Sequence, residues 1–200
     1  MIRFKFLHLK ATQFTTTNKK FHEAKYISLG YDARTHSPIL KEWLTSGIKK
    51  VGLEILDMGL VATPVNYFSN YIDNDGKKVH ASIMITGSHN PPEYNGFKIT
   101  VNNEPFFDQD LMTVYENIIN SKEIKIPKDV SFTKINAKKP YIKYMLKQFA
   151  HLKGLNQKFV IDCGNGVADT VLTKILDKLE LNYKALHTKP DGKFPNHHPY

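Results

Sequence analysis

The segment His80-Ala81-Ser82-Ile83-Met84-Ile85-Thr86 most constrains how this chain can fold. Its apolar residues do not alternate with polar ones. It therefore reads as a strand covered on both faces, which requires helices above and below a sheet. The residues before it supply candidates. Tyr26 to Leu29 reads as a short buried strand ending at Gly30. Ser37-Pro38 gives an N-cap followed by proline at the first helical position. Apolar residues at Ile39, Leu40, Trp43, Leu44, Ile48 and Val51 then form a helical stripe that stops at Gly52. Glu54 to Asp57 reads as a strand closed by Gly59, and Thr63-Pro64 opens a helix running through Phe68 to Tyr71. Asp73 to Gly76 is a turn. The alternation predicts an α/β fold: a mixed, mainly parallel sheet with helices on both faces.

Beyond that strand, Phe97 to Val101 adds another, and Asp108 to Ile119 reads as a helix capped by Asp108. Ser121 to Lys138 is lysine-rich with little periodicity and reads as a linker. A helix is expected from Pro140 to about His151. A strand at Phe159 to Asp162, a loop at Gly164-Asn165-Gly166, a helix from Ala168 to Leu179 and a strand at Tyr183 to His187 follow. Two strands and one helix cannot bury both sheet faces. The expected organisation is therefore a displaced or poorly ordered leader at 1–25, a first α/β domain at 26–137, and a helix plus the start of a second, similar domain at 138–200. Truncation inside that domain is the favoured expectation; packing of its residues onto the first domain as extra layers is the alternative. A strand, a glycine and a polar loop occur at both Tyr26 to Thr35 and Phe159 to Thr170, a faint internal echo.

Charge narrows the partners. The formal net charge is +9, but Arg3, Lys5, Lys10, Lys19 and Lys20 supply five of those charges before the first acid, Glu23. The remainder carries too small an excess to point to nucleic acid. A nucleic-acid module would show binding that weakens steeply with salt. No apolar run is long enough to span a bilayer. Lys5 and His8 interrupt the short apolar start, which argues against a secretory signal. The single Cys163 cannot form an internal disulfide, fits a reducing, cytoplasmic setting, and reads as a small buried filler. Gly164-Asn165-Gly166 lacks the third glycine of a dinucleotide fingerprint, Asp169 standing in its place. His197-His198 lacks a visible third metal ligand and reads as a solvated loop.

The chemistry concentrates in Thr86-Gly87-Ser88-His89-Asn90-Pro91-Pro92-Glu93-Tyr94-Asn95-Gly96-Phe97-Lys98. The buried strand delivers Ser88 to its end, where open α/β sheets place ligands. Gly87 leaves room for close approach of a ligand, and the prolines keep a helix from starting. Asn95-Gly96 is a tight-turn signal that could bring Lys98 back towards Ser88. Ser88 is then either a turn former or a nucleophile with a lysine or histidine to handle its proton. There is no Gly-x-Ser-x-Gly elbow of a hydrolase.

This string closely resembles the active-serine loop of the α-D-phosphohexomutases, nearest to the bacterial phosphomannomutase/phosphoglucomutase pattern. Gly30-Tyr31-Asp32-Ala33-Arg34, Asp57-Met58-Gly59 with Thr63-Pro64-Val65, Asp162 to Ala168, and Asp191 to Pro199 are similar to further stretches of that family. The resemblance implies phosphate transfer between C1 and C6 of a hexose through phosphoserine at Ser88 and a bisphosphorylated intermediate, with hexose phosphate and hexose bisphosphate as partners. It implies Lys98 as acid–base group, His89 and Asn90 shaping the phosphoserine pocket, and Arg34 supporting the loop. Mg²⁺ would take one phosphate oxygen on Ser88. The family's Asp-Gly-Asp-Gly-Asp-Arg metal loop and its opening Tyr-Asp-Ile-Arg-Gly do not occur in these 200 residues. Most Mg²⁺ ligands are thus missing, and full turnover is not expected of these residues alone. A non-catalytic remnant that binds a partner or phosphosugar is the alternative reading.

Overall fold

Alternating apolar strands and helices assemble here into two packed units. The computed structural model describes residues 25–120 and 129–198. The predicted leader, apart from Lys25, and residues 121–128 of the predicted linker lie outside them.

The first unit is a six-stranded sheet. Its strands are β1 (Tyr26–Tyr31), β2 (Glu54–Leu60), β3 (Val79–Ile85), β4 (Phe97–Val101), β5 (Glu104–Pro105) and β6 (Thr133–Lys134). They lie in the order β5-β4-β3-β1-β2-β6. β1 pairs in parallel with β2 and β3, and β2 with β6, whereas β4 and β5 turn antiparallel at one edge. The mixed, mainly parallel sheet is as expected. β6 revises the linker reading, because Thr133 and Lys134 join the sheet beside Leu56 and Asp57. With only two residues paired and both exposed, the strand leaves no apolar periodicity to find.

Helix α1 (Ser37–Lys50) lies on one face. Leu40, Leu44 and Ile48, spaced by four, pack against Ile27, Leu29, Ile55, Ala81, Ile83 and Ile85. Burying each such side chain contributes about 1.5–3 kcal/mol. Ile39, read as part of that stripe, faces outward. The expected Ser37 cap is also revised. The helix already includes Ser37, His36 takes the cap position without a side-chain cap, and the Ser37 hydroxyl donates to Asp32 Oδ1 at 2.9 Å instead.

On the opposite face, α2 (Thr63–Phe68) runs into a 3₁₀ turn at Ser69–Tyr71. This face is partly polar: Ser28 Oγ and Ser69 Oγ share a hydrogen bond of 2.7 Å, and Asn70 Nδ2 donates to Ser82 Oγ at 2.8 Å. Farther along, α3 (Gln109–Asn120) follows Asp108, whose carbonyl accepts the Met112 N–H.

The second unit holds α4 (Lys138–Gln148), β7 (Lys158–Asp162), α5 (Leu172–Lys178) and β8 (Asn182–Leu186). The helix expected from Ala168 begins as a 3₁₀ turn at Ala168–Thr170, and α5 starts only at Leu172. β7 and β8 pair in parallel as a separate two-stranded sheet. The unit does not stand alone: Met58, Val61, Val65 and Met84 of the first unit share a core with Val171, Ile175 and Leu179, flanked by Tyr141, Ile142 and Met145 of α4. Adjacent residues of β3 thus serve different cores, Ile83 and Ile85 one and Met84 the other, which is why the strand reads as continuously apolar. No helix among the described residues is long and apolar enough to cross a membrane.

Candidate active site in the cleft between the two units

The loop from Thr86 to Gly96 is built around one side chain. Arg34, only 1% exposed, sits beneath it. A guanidinium has five N–H donors, and every one is used. Nε donates to Asp32 Oδ2 at 3.2 Å. Nη1 donates to the Pro91 carbonyl and to that of Tyr94 at 3.0 Å, and Nη2 to those of Ser88 at 3.1 Å and Asn90 at 2.7 Å. Arg34 therefore has no donor left for a substrate. It is a template on which the loop is wound, and of the roles expected for it, loop support matches its contacts.

Two sequence readings are corrected by this arrangement. Gly87 was expected to leave room for a ligand, yet a Cβ there would lie 2.5 Å from Arg34 Cζ and 2.7 Å from the Tyr94 carbonyl oxygen. The space belongs to the arginine. Nor does Asn95-Gly96 make the reversal, since neither residue has a positive φ. The chain turns instead at Gly87 to Asn90 and at Pro91 to Tyr94, each closed by a backbone hydrogen bond of 3.0 Å. Asn95 Nδ2 donates to Ser37 Oγ at 2.9 Å, while its Oδ1 accepts the Gly96 N–H.

Reversal by either route places Lys98 beside Ser88. β4 pairs antiparallel with β3, Lys98 opposite Met84, and Lys98 Nζ donates to Ser88 Oγ at 3.3 Å. His89 Nδ1 also lies 3.3 Å from Ser88 Oγ. Ser88 itself holds a φ of +53°, a left-handed conformation uncommon outside glycine and characteristic of functional loops. Its N–H donates to Thr86 Oγ1 at 2.9 Å. Asn90 Nδ2 donates to the Gly87 carbonyl at 2.9 Å, bracing the loop from inside. The structure thus brings Ser88, His89 and Lys98 together, with Asn90 and Arg34 behind them.

These groups open into a cavity of about 550 Å³ between the units. The far wall comes from Asp162, Cys163, Gly164, Phe194, His197 and His198. Cys163 is therefore half-buried at a cavity wall, not the buried filler expected. Burial, then the Asp169 and Asp162 carboxylates, push its thiol up, so it stays protonated and unreactive at neutral pH. Asn165 is buried at a φ of +58°, and its side chain ties the turn to the Lys189 carbonyl at 3.0 Å, in keeping with a structural Gly-Asn-Gly turn.

The second wall was missed in the sequence. His197 and His198 are exposed as expected, but His197 Nε2 lies 3.3 Å from Asp162 Oδ2, with His187 Nε2 at 3.8 Å from the same oxygen. The aspartate that closes β7 directly before Cys163 is the signal that could have paired with the histidines. The His198 carbonyl, accepting from Nδ1 at 2.9 Å, and then Asp162 push His197 up from its ordinary value. The Gly164 N–H, then the histidines, hold Asp162 below the usual carboxylate range. The imidazolium–carboxylate pair accordingly holds above the lowered Asp162 value and below the raised His197 value. It is lost as pH rises through the latter or falls through the former. The His197 ring-proton NMR titration is expected to have a midpoint above 6.5, and Asp162→Asn to lower it partway, since the carbonyl contact remains. An unchanged midpoint in the variant counts against the pair.

Magnesium fits the described residues poorly. No group of three or more His, Cys, Asp or Glu side chains among them could hold a metal ion. The two cavity carboxylates are engaged, Asp32 by Arg34 and Ser37 and Asp162 by His197 and Gly164. No step is derived through the ion.

Comparison with known proteins identifies the family. Residues 5–125 match the phosphoglucomutase/phosphomannomutase alpha/beta/alpha domain I, and residues 139–200 match domain II. The first match begins inside the segment read as a leader. Phosphomannomutase/phosphoglucomutase of Pseudomonas aeruginosa is 35% identical over 173 residues, covering 86% of this chain and 36% of the relative. Phosphoglucomutase of Neisseria meningitidis is 33% identical over the same length, with the same coverage. The chain thus spans about a third of the length of the curated relatives it matches. A crystal structure of a phosphoglucomutase/phosphomannomutase family protein from Burkholderia thailandensis superposes with a TM-score of 0.80 at 28% identity, over 98% of this chain and 42% of that one. Matched in both of its units and carrying the serine loop between them, this chain belongs to the phosphoglucomutase/phosphomannomutase family.

Proposed function

We propose that this chain carries the phosphoryl-bearing serine of a cytoplasmic phosphohexomutase, with the domain boundary at 137/138. Ser88 holds the phosphoryl group and passes it to the C1 or C6 hydroxyl of a hexose phosphate. As the sugar oxygen bonds phosphorus and gives its proton to water, the bond from phosphorus to Ser88 Oγ breaks and Oγ takes a proton from Lys98. The bisphosphorylated sugar then returns its other phosphate to Ser88: the Ser88 hydroxyl proton goes back to Lys98, and the freed sugar oxygen takes a proton from water. His89 and Asn90 shape the pocket of the phosphorylated serine. Mg²⁺, when bound, would supply charge neutralisation at the phosphoryl group, with the Ser88 phosphate as one ligand.

One observation carries this reading: a lysine ammonium 3.3 Å from the oxygen of a serine held in a strained, arginine-braced loop at the mouth of a cavity. Beyond the serine that carries the group, phosphoryl transfer needs positioning and charge from a protein. Incubation with ³²P-labelled glucose 1,6-bisphosphate is expected to label Ser88 alone, identified by mass spectrometry. Ser88→Ala abolishes the label, and Lys98→Met slows it at least about 100-fold, the scale of lost general acid–base assistance. A folded wild-type chain that takes no label, or takes it elsewhere, overturns the proposal in favour of a binding remnant.

A further inference from the structure

We infer that Phe194 and Gly192, in the loop after β8, are positioning residues for the Ser88 loop and act on it through Arg34. The inference deepens the phosphoryl-carrier reading and rests on it for its functional meaning. Arg34 spends all five N–H donors in the plane of its guanidinium, leaving only its faces to be contacted. Arg34 Cζ lies over the Phe194 ring, 5.4 Å from its centroid. A cation over an aromatic face is attracted by the ring quadrupole, more strongly where water is excluded, as it is around Arg34.

Gly192 sets how closely the loop can come. A Cβ on it would lie 2.2 Å from the Ala33 carbonyl oxygen and 2.7 Å from Arg34 Cα, so this backbone rests directly on the backbone that carries the arginine. The loop is itself firmly held. The Asp191 N–H donates to the Asn165 carbonyl at 2.8 Å, Asp191 Oδ1 accepts the Lys193 N–H at 2.9 Å, and the Phe194 N–H returns to the Asp191 carbonyl at 3.0 Å. Asn196 Nδ2 closes the far side on Asn165 Oδ1 at 2.6 Å. Phe194 keeps a φ of +49°, an uncommon conformation for a bulky residue that its surroundings must enforce. A continuous run of contacts therefore leads from the buried Asn165 turn of the second unit, through Phe194, to the guanidinium on which the carbonyls of Ser88, Asn90, Pro91 and Tyr94 are wound. The second unit thereby tightens the geometry of a serine on the first.

Hydrogen–deuterium exchange on the full 200-residue chain tests this, comparing wild type with Phe194→Leu and Phe194→Tyr. Leucine keeps apolar bulk but has no ring face. Phe194→Leu is expected to speed exchange of the 86–96 segment about tenfold, in line with loss of a desolvated cation–π contact, while β1 and β3 exchange as before. Phe194→Tyr restores the wild-type rate. Labelling of Ser88 by glucose 1,6-bisphosphate should slow and recover in the same order. A leucine variant that exchanges like wild type at 86–96, or one in which β1 and β3 loosen equally, overturns the inference. So does a tyrosine variant that fails to restore the rate. The expected exchange pattern in a wild-type chain that never labels would support the positioning link and sink the phosphoryl-carrier reading alone.

Discussion

Arg34→Met should cost about 3–5 kcal/mol of stability and stop Ser88 labelling. The arginine is buried, its anionic partner is Asp32, and its remaining donors satisfy four carbonyls of the serine loop. Removing one partner of a buried pair leaves the other uncompensated, which accounts for that magnitude. Here the acceptors that lose a donor are Asp32 Oδ2 and four carbonyls. The loss is expected to fall unevenly, because Ile27, Ile55 and Ile83 belong to the apolar core of the sheet, which does not include Arg34. Urea denaturation should therefore show a lowered midpoint, and the 86–96 segment should lose exchange protection even in the absence of denaturant. Arg34→Lys is expected to rescue little, as an ammonium offers three donors from a single point and cannot serve five acceptors in one plane. Wild-type stability in either variant would mean that water satisfies the loop carbonyls equally well.

Gly87→Ala is the second large effect, and Gly96→Ala is its control. The added methyl at position 87 meets Arg34 Cζ at 2.5 Å and the Tyr94 carbonyl oxygen at 2.7 Å, and neither can move away. The guanidinium is fixed by its five hydrogen bonds, and Tyr94 O is one of its acceptors. Overpacking without an escape route costs about 1–3 kcal/mol, and the upper end is expected here. At position 96 the nearest atom is the Thr86 carbonyl oxygen at 3.5 Å, an ordinary contact, and φ is not positive. Gly96→Ala should change stability by no more than about 0.5 kcal/mol. Thermal or urea melts of the two variants decide the matter, and equal losses would contradict this account.

The two glycines show what the sequence could and could not reveal. The loop string picked out the candidate site, and its resemblance to the mutase pattern named the family that both domain matches support. Which glycine mattered, and why, was not legible. That depends on Arg34, more than fifty residues earlier in the chain, filling the space. Local rules make Asn-Gly a turn, but here long-range carbonyl capture makes the turns and leaves Asn95 free to bond Ser37. The fold class was readable because a strand buried on both faces leaves a continuous apolar run. β6 was not, since a two-residue exposed edge has no period to detect. The far wall escaped for a third reason. Asp162 and His197 are distant in sequence, and only the pairing of β7 with β8 brings their loops to one end of a sheet.

The core shared between the units has a consequence for how the chain is made. Met58, Val61, Val65 and Met84 leave the ribosome well before Val171, Ile175 and Leu179, which cover them. During that interval the nascent first sheet presents a sticky apolar flank with its own cover still untranslated. Chaperone engagement is expected to be heaviest in this window and to end once the 171–179 segment has emerged. Slower translation between Met84 and Leu179 is therefore expected to lower soluble yield, as measured by comparing synonymous-codon variants.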